Sequence, residues 1–368
     1  MFRPTCLMAL VVLLTLPVLS VEGAPWPAQR DGLHLAFQDA LHPAVAYRAD
    51  GTPIPGWRFD AMGLGRVRHD GALLSGNGGF EAPSIGPAMG DVFAHSTTFT
   101  LSFAFTSTSA ENSGNILGLG DLRGPKGCWL QVAQESDTLH VSLHTSSGEV
   151  RLAGGKVVPE ESTTVAFTCD EDVFAFYQDG REVARHAVTG APQITHPTTP
   201  VIGQAKADVT GWQGAVEGIA LYNERLSLEA VAGLHSSFAA VQKARLPVAT
   251  LALRGTLREK SSILAPSELA PYERGLTVFI YDVEEVLDGV YGKKTIYVAH
   301  WTVLDRTALP FAAVPVGSTE TLYLELFDDN PQLESENLSD DAVMDFTIPY
   351  YYDAGGCSLR ALLPEKKP

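Results

Sequence analysis

The chain has 368 residues, long enough for two domains of ordinary size. A formal net charge of −17 leaves too little positive charge to neutralise phosphates, which argues against nucleic acid and anionic membranes as partners. Only 19% of residues are charged, and 34 Gly and 23 Pro suit many short strands joined by turns.

The chain opens on a stretch that reads as an export signal. Arg3 supplies a positive start, Leu7–Leu19 is an apolar run interrupted by Thr15 and Pro17, and Val21-Glu22-Gly23 offers a cleavage site. The run is short for a membrane span, and no later stretch approaches about 18 consecutive apolar residues. The mature chain is expected to begin near Ala24 and to be periplasmic, at the cell surface or extracellular, with residues 1–23 removed. Cys128, Cys169 and Cys357 remain, an odd number that leaves at least one thiol unpaired. Cys128 and Cys169 both fall on expected strands, and spacing leaves open a disulfide or two buried free thiols.

Leu33–Phe37 is strand-like, and Trp57–Phe59, Ala72–Leu74 and Gly79–Ala82 are short strands separated by glycines. In Phe99–Thr106, Phe99, Leu101, Phe103 and Phe105 alternate with small or polar residues, the pattern of a half-buried antiparallel strand. Asn115–Gly120, Cys128–Ala133, Leu139–Leu143, Val150–Leu152 and Thr163–Cys169 continue the series. Val173–Tyr177 is apolar at every position, so it is expected to be buried on both faces. Asp179-Gly180 then supplies the two φ > 0 residues of a tight hairpin, and Glu182–Val188 returns. Gly211–Tyr222 closes the series. No helical period appears between Trp57 and Gly218, so many short strands imply a β-sandwich or jelly roll. Ser227 is a good N-cap, and Leu228, Val231, Leu234, Phe238 and Val241 share one face, which predicts a helix over Ser227–Lys243 laid against the sandwich.

Several of these segments together resemble the laminin-G-like, concanavalin A-type jelly-roll family. They are Leu73–Phe80 ahead of the sandwich strands, Phe99–Phe105, Asn115–Asp121, and Thr164–Asp170 followed by Phe176–Glu182. The most specific is the closing Trp212–Leu226 with Ser227–Val231. Gln178 stands where the family usually has Val, at a position expected to be exposed and harmless. The resemblance covers about the first two thirds of the chain and implies a jelly-roll domain over residues 24–243.

Arg245–Pro247 begins a second unit. Val248–Leu253, Leu276–Leu287, Lys294–Leu304, Glu320–Phe327 and Phe346–Tyr352 are strand-like with prolines between them, which predicts a small antiparallel barrel of OB type over residues 246–355 and a tail over 356–368. Val283–Gly289 resembles a step of netrin-like OB barrels. The expected fold class is all-β: a jelly-roll sandwich with a closing helix, then an OB-like barrel.

Glycosidase chemistry on such a sandwich needs carboxylates on alternate residues of one strand, so that they face one cleft. The sandwich strands lack such a run; Asp170-Glu171-Asp172 is a turn and Glu217 stands alone, so no catalytic residue is expected. The family resemblance implies calcium at a sandwich edge, held by oxygen ligands. Asp121 and Asp170 are the nearest candidates, against the alternative that both are turn aspartates bonding their own backbone. Sugar binding needs aromatic faces with polar partners. Trp57 and Trp129 are the candidates, with Trp212 assigned to the core. His300 reads as a hydrogen-bonded structural histidine. The acidic run Asp328–Asp341 reads as a solvated loop, and Asn337-Leu338-Ser339 is a sequon. The expected function is an exported, non-catalytic protein that binds an extracellular polysaccharide, glycoprotein or matrix protein. The alternatives are a structural protein of the cell envelope and, last, a glycan-active enzyme.

Overall fold

The computed structural model describes residues 26, 32–36, 45–48, 59–76, 78–93, 96–121, 127–194, 197–203, 211–245 and 247–355. The stretch read as an export signal, Trp57, Cys357 and the expected tail lie outside them.

In chain order the first strands are β1 (Gly32–Ala36), β2 (Val45–Arg48), β3 (Asp60–Met62), β4 (Arg66–Val67), β5 (Leu73–Leu74) and β6 (Gly79–Glu81), followed by helix α1 (Gly86–Phe93). Then come β7 (Phe99–Ser107), β8 (Ser113–Asp121), β9 (Gly127–Glu135), β10 (Thr138–Thr145), β11 (Gly148–Lys156) and β12 (Ser162–Cys169). β13 (Val173–Gln178), β14 (Arg181–Ala187), β15 (Thr199–Gly203) and β16 (Gly214–Tyr222) lead into helix α2 (Leu228–Ala244). One sheet runs β14-β13-β12-β7-β16-β1-β2, with β5 and β4 added beside β16; the other runs β11-β10-β9-β8-β15-β6-β3. All of their strand pairings are antiparallel.

The two sheets enclose one core. Phe99, Leu101, Phe103 and Phe105 of β7 meet Leu130, Val132, Val141 and Leu143 of the facing sheet. Truncating one of these phenylalanines to Ala would cost about 3–5 kcal/mol through lost burial and the cavity left behind. In β13, Phe174 and Phe176 enter this core, while Ala175 and Tyr177 pack under α2. Both faces of β13 are therefore buried, as the unbroken apolar run requires. α2 starts where Ser227 accepts a hydrogen bond from Ala230 N at 3.2 Å, and it buries Val231, Leu234 and Phe238. Val241, expected on that face, is 37% exposed. The last turn engages the sandwich through Gln242 instead, which bonds Glu217.

Helix α1 departs from expectation. Its sequence, GPAMGDVF, is rich in Gly and Pro, so local propensity argues against a helix. Ile85, Met89 and Phe93 nevertheless fall four residues apart and are fully buried, and tertiary packing overrides propensity.

The remaining strands are β17 (Thr250–Lys260), β18 (Gly275–Asp288), β19 (Thr295–Leu304), β20 (Thr307–Ala308), β21 (Thr319–Leu326), β22 (Asn337–Ser339) and β23 (Tyr350–Tyr352). β17, β18, β19, β23 and β21 close a ring, because β18 also pairs with β19 and β21 returns to β17. Numbered within the ring, the order is 1-2-3-5-4-1, the wiring of an OB-type barrel. The expectation of a wholly antiparallel barrel is corrected at one seam: β19 and β23 are parallel. A long connection between β21 and β23 lets the last strand enter in that direction. Phe311, on a 3-10 turn at Pro310–Ala313, packs into the barrel core beside Phe279 and Tyr281. The 4–5 connection folds back over the outer face of β18 and β19, setting Val343 and Ile348 on Val278, Ile280 and Tyr297. Asp341 pins it by accepting from Ser262 N at 2.7 Å and Ser262 Oγ at 2.6 Å. The face that OB barrels commonly offer to ligands is thus covered by the chain itself.

Sandwich and barrel touch through the β3–β4 turn. Leu64 packs against the barrel cluster of Leu276, Trp301 and Leu304, and Gly63 N donates to Asp305 Oδ2 at 2.8 Å.

Candidate functional site

Trp129, expected to face out toward a sugar, is 1% exposed and sits edge-on to Phe99 at 5.3 Å between ring centroids. The cause is a β-bulge. Gly120 pairs with Cys128 and the next pair is Leu119 with Leu130, so Trp129 is the extra residue on β9. The bulge turns its indole inward beside Leu130, and simple alternation fails there. Trp57 lies outside the described residues. Trp212 is fully buried as expected, and its Nε1 donates to Gln134 Oε1 at 2.9 Å.

Asp170 is a turn aspartate. Its Oδ1 accepts from the backbone N–H groups of Asp172 at 2.9 Å and Val173 at 2.7 Å, and Oδ2 accepts from Arg225. Burial pushes its carboxyl up, but these donors outweigh burial and hold it below the usual range. A carboxylate already engaged by a guanidinium and two N–H groups does not fit a calcium ligand. Asp121 ends β8, and its side chain is outside what the structure describes. Among the described residues, no three His, Cys, Asp or Glu gather to hold a metal ion.

The polar side chains that converge lie elsewhere, on the outer face of β8–β11. Core residues Leu130 and Val132, Leu139, Val141 and Leu143, and Val150 and Leu152 point inward. The alternate residues therefore point out. Across the strands they form two rows, Asn115–Ala133–His140–Ala153 and Gly118–Gln131–Ser142–Arg151. Each row mixes small residues with planar polar groups. Gln131 Nε2 donates to Asn115 Oδ1, which fixes both amides. Glu135 accepts from Arg151 and lies 3.4 Å from His140 Nε2. His140 Nδ1 is buried without a hydrogen-bond partner. His144 opposite Glu149 extends the polar face along β10 and β11. Sequence reasoning missed this face. The available signal was the alternation Gln131, Ala133, Glu135 and His140, Ser142, His144, which places polar groups on one side of adjacent strands.

Two other polar clusters are structural. Glu217, read from the sequence as isolated, is 3% exposed and accepts from Thr106 Oγ1 at 2.8 Å, from Gln242 and from Arg245. Arg245 also lies 3.0 Å from Asp70, which Arg68 grips through two hydrogen bonds. His300 sits in the barrel core between Asp353 and Tyr281, in contact with the rings of Phe279 and Phe311. Oriented imidazoles of this kind serve catalysis only where substrate can reach them. All three polar side chains here belong to a closed core.

With this geometry, residues 75–232 match the laminin G type 3 family model, described as the concanavalin A-like lectin/glucanases superfamily. Over those residues the sandwich is similar to concanavalin A-like domains. Among solved structures, the chain is similar to Trypanosoma rangeli sialidase at 22% identity and a TM-score of 0.42, covering 58% of this chain and 34% of the sialidase. It therefore spans about a third of that protein's length. The receptor binding domain of botulinum neurotoxin C/D mosaic serotype is similar at 11% identity and a TM-score of 0.45, covering 80% of this chain and 71% of that one. A heptameric SAP-like pentraxin from Limulus polyphemus is similar to 37% of this chain at 16% identity and a TM-score of 0.31, with 69% of its own chain covered. No curated protein matches the sequence. Among the described residues, no helix is long and apolar enough to cross a membrane.

Proposed function

We propose that this chain is an exported, non-catalytic binding protein whose concanavalin A-like domain recognises an extracellular glycan or glycosylated matrix protein. The observation that carries the proposal is the outer face of β8–β11. Its floor of Ala133, Ser142 and Ala153 carries only small side chains, and Asn115, Gln131, His140 and Arg151 border it with donors and acceptors. Planar amides, imidazole and guanidinium suit the hydroxyls of a sugar ring. Export rests on the Arg3–Gly23 pattern. The absence of catalysis is supported by partners already held by the carboxylates: Glu135 by Arg151, Asp170 by Arg225, and Glu217 by Arg245.

Glycan-array binding by the mature protein tests this reading. A sugar-specific signal that falls roughly tenfold or more in Gln131→Ala and Arg151→Ala, with folding intact, is the expected result. A signal indifferent to both substitutions overturns it. A second reading, an assembly protein of the cell envelope, is favoured by large apolar side chains exposed on the barrel: Val290 at 96%, Met344 at 86% and Phe346 at 80%. That reading expects no sugar-specific signal.

A further inference from the structure

A groove of about 530 Å³ lies where the β13–β14 hairpin meets helix α2, lined by Gln178, Asp179, Arg181, Glu182, Val183 and His235. It is built at the edge of the nine-stranded sheet, where β14 is the last strand, and it shares no residue with the polar face of β8–β11. The turn that bounds it is tightly specified. Asp179 and Gly180 both have positive φ, 49° and 74°. A Cβ on Gly180 would meet Ala232 Cα at 3.1 Å, so only glycine lets the turn press against the helix.

The side chains around the groove divide into held and free atoms. Thr164 N and Oγ1 bond Asp179 Oδ1 at 3.0 and 3.3 Å, and Thr164 Oγ1 meets His235 Nδ1 at 2.7 Å. This orients both side chains and leaves Asp179 Oδ2 and His235 Nε2 for a ligand. Glu182 is gripped by Arg185 through two hydrogen bonds at 2.9 and 2.5 Å. Gln178 is turned away, with Nε2 donating to Lys156 O at 2.7 Å, so it forms wall rather than contact. Arg181 is exposed and has no carboxylate partner among the described residues.

The Thr164, His235 and Asp179 trio is not a nucleophile relay. The hydroxyl at 2.7 Å and the carboxylate at 3.9 Å both meet Nδ1, whereas activating a hydroxyl needs the carboxylate on the opposite ring nitrogen. What the groove offers instead is one unpaired guanidinium beside an oriented carboxylate oxygen and an imidazole nitrogen. A guanidinium takes a carboxylate by two parallel hydrogen bonds, and the other two groups take neighbouring hydroxyls. We infer that this groove is a second binding site, specific for a uronate-type sugar residue, one that carries a carboxylate and free hydroxyls on the same ring.

The test compares tetragalacturonate with its methyl ester, which keeps the skeleton and removes the charge, by titration calorimetry on the mature protein. The free acid is expected to bind roughly tenfold or more tightly than the ester at low salt, with the preference shrinking as salt is raised. Arg181→Ala should abolish the preference, and Arg181→Lys should keep part of it. His235→Ala should weaken both ligands. Arg151→Ala, on the polar face of the other sheet, should leave the preference unchanged, which separates failure of this site from failure of that face. Circular dichroism confirms folding of each variant. Equal affinity for acid and ester, no saturable binding of either, or a preference that survives Arg181→Ala overturns the inference.

Discussion

Asp353 Oδ2 lies 3.1 Å from His300 Nδ1, and both side chains are wholly buried in the barrel. The opposite ring nitrogen of His300 meets Tyr281 OH at 3.1 Å. Asp353 directly follows β23, so this contact ties the closing strand to the barrel wall. Removing the carboxylate leaves the buried Nδ1 of His300 without its partner, a loss of about 2 kcal/mol. Asp353→Ala is expected to lower the barrel's thermal transition by about 10 °C or more, read by the fluorescence of buried Trp301. An unchanged transition would show that the strand is held by its backbone pairing alone.

Acid sensitivity is expected at Asp70. Burial pushes its carboxyl up, but the hydrogen bonds and charge of Arg68, the charge of Arg245 and the Ala72 N–H more than reverse this and hold it at about 2. Its unfolded value is about 3.9, so folding favours the ionised form; the stabilisation is present above pH of about 4 and is lost as pH falls toward 2. The shift corresponds to about 2 kcal/mol. Asp70→Asn should therefore be less stable than the parent at neutral pH and show a flatter loss of stability between pH 4 and 2. Parallel denaturation curves across that range would contradict the assignment.

Both described cysteines are buried, and neither forms a disulfide. Burial, and then the charge of Asp170, push the Cys169 thiol up to about 12, with Arg225 only partly opposing. A thiol this far from ionisation is a poor nucleophile. Iodoacetamide at pH 8 should label Cys169 only after unfolding, as followed by mass spectrometry; rapid labelling of the native protein would refute this.

Calcium, if it stabilises the protein, should not do so through Asp170. Asp170→Ala is expected to cost about 1 kcal/mol through the lost turn hydrogen bonds. Its melting temperature should nevertheless respond to millimolar calcium and to EDTA as the parent's does. A calcium response that disappears in this variant alone would return Asp170 to the metal.

The division into sandwich and barrel is proposed to lie just after α2. The helix extends to Ala244, and Arg245 is clamped by Asp70 and Glu217. Limited proteolysis is therefore expected within residues 246–249 rather than inside the helix. Early cuts within Phe99–Gly180 with that linker intact would count against two units.

Much of the architecture could be read from pattern. The Asp179-Gly180 turn and the Ser227 cap each express a local rule, and each survives in the fold. The alternation in Phe99–Phe105 does aim its large side chains into the core, but the half-buried strand it predicts is corrected. Thr100, Ser102 and Ala104 on the other face are buried too, because the segment leading into α2 covers them, with Thr100 Oγ1 bonding Glu224 O and Leu226 N. The failures share a different cause. Trp129 faces inward because a bulge shifts the register against β8, and α1 forms because burial of Met89 and Phe93 outweighs its glycines and proline. Gln178 was assigned to solvent, yet its amide reaches Lys156 on the other sheet. Glu217 looked solitary because its partners Arg245 and Gln242 arrive from a helix beyond the strand series. Contacts between residues distant in sequence decide such cases, and no window along the chain contains them. For the same reason the polar face of β8–β11 became legible only once four strands were set in register.

The position of β16 has a kinetic consequence. It occupies the slot between β7 and β1, with Ile219 opposite Phe103 on one side and opposite Leu35 on the other. Until Gly214–Tyr222 arrives, β1 and β7 have no common neighbour and the larger sheet is split in two. The sandwich cannot complete itself as it emerges strand by strand, because its keystone is nearly its last piece. Slow, late collapse is the cost of such long-range pairing. Were the chain exported as proposed, a topology that delays folding would also leave it loose during passage across a membrane.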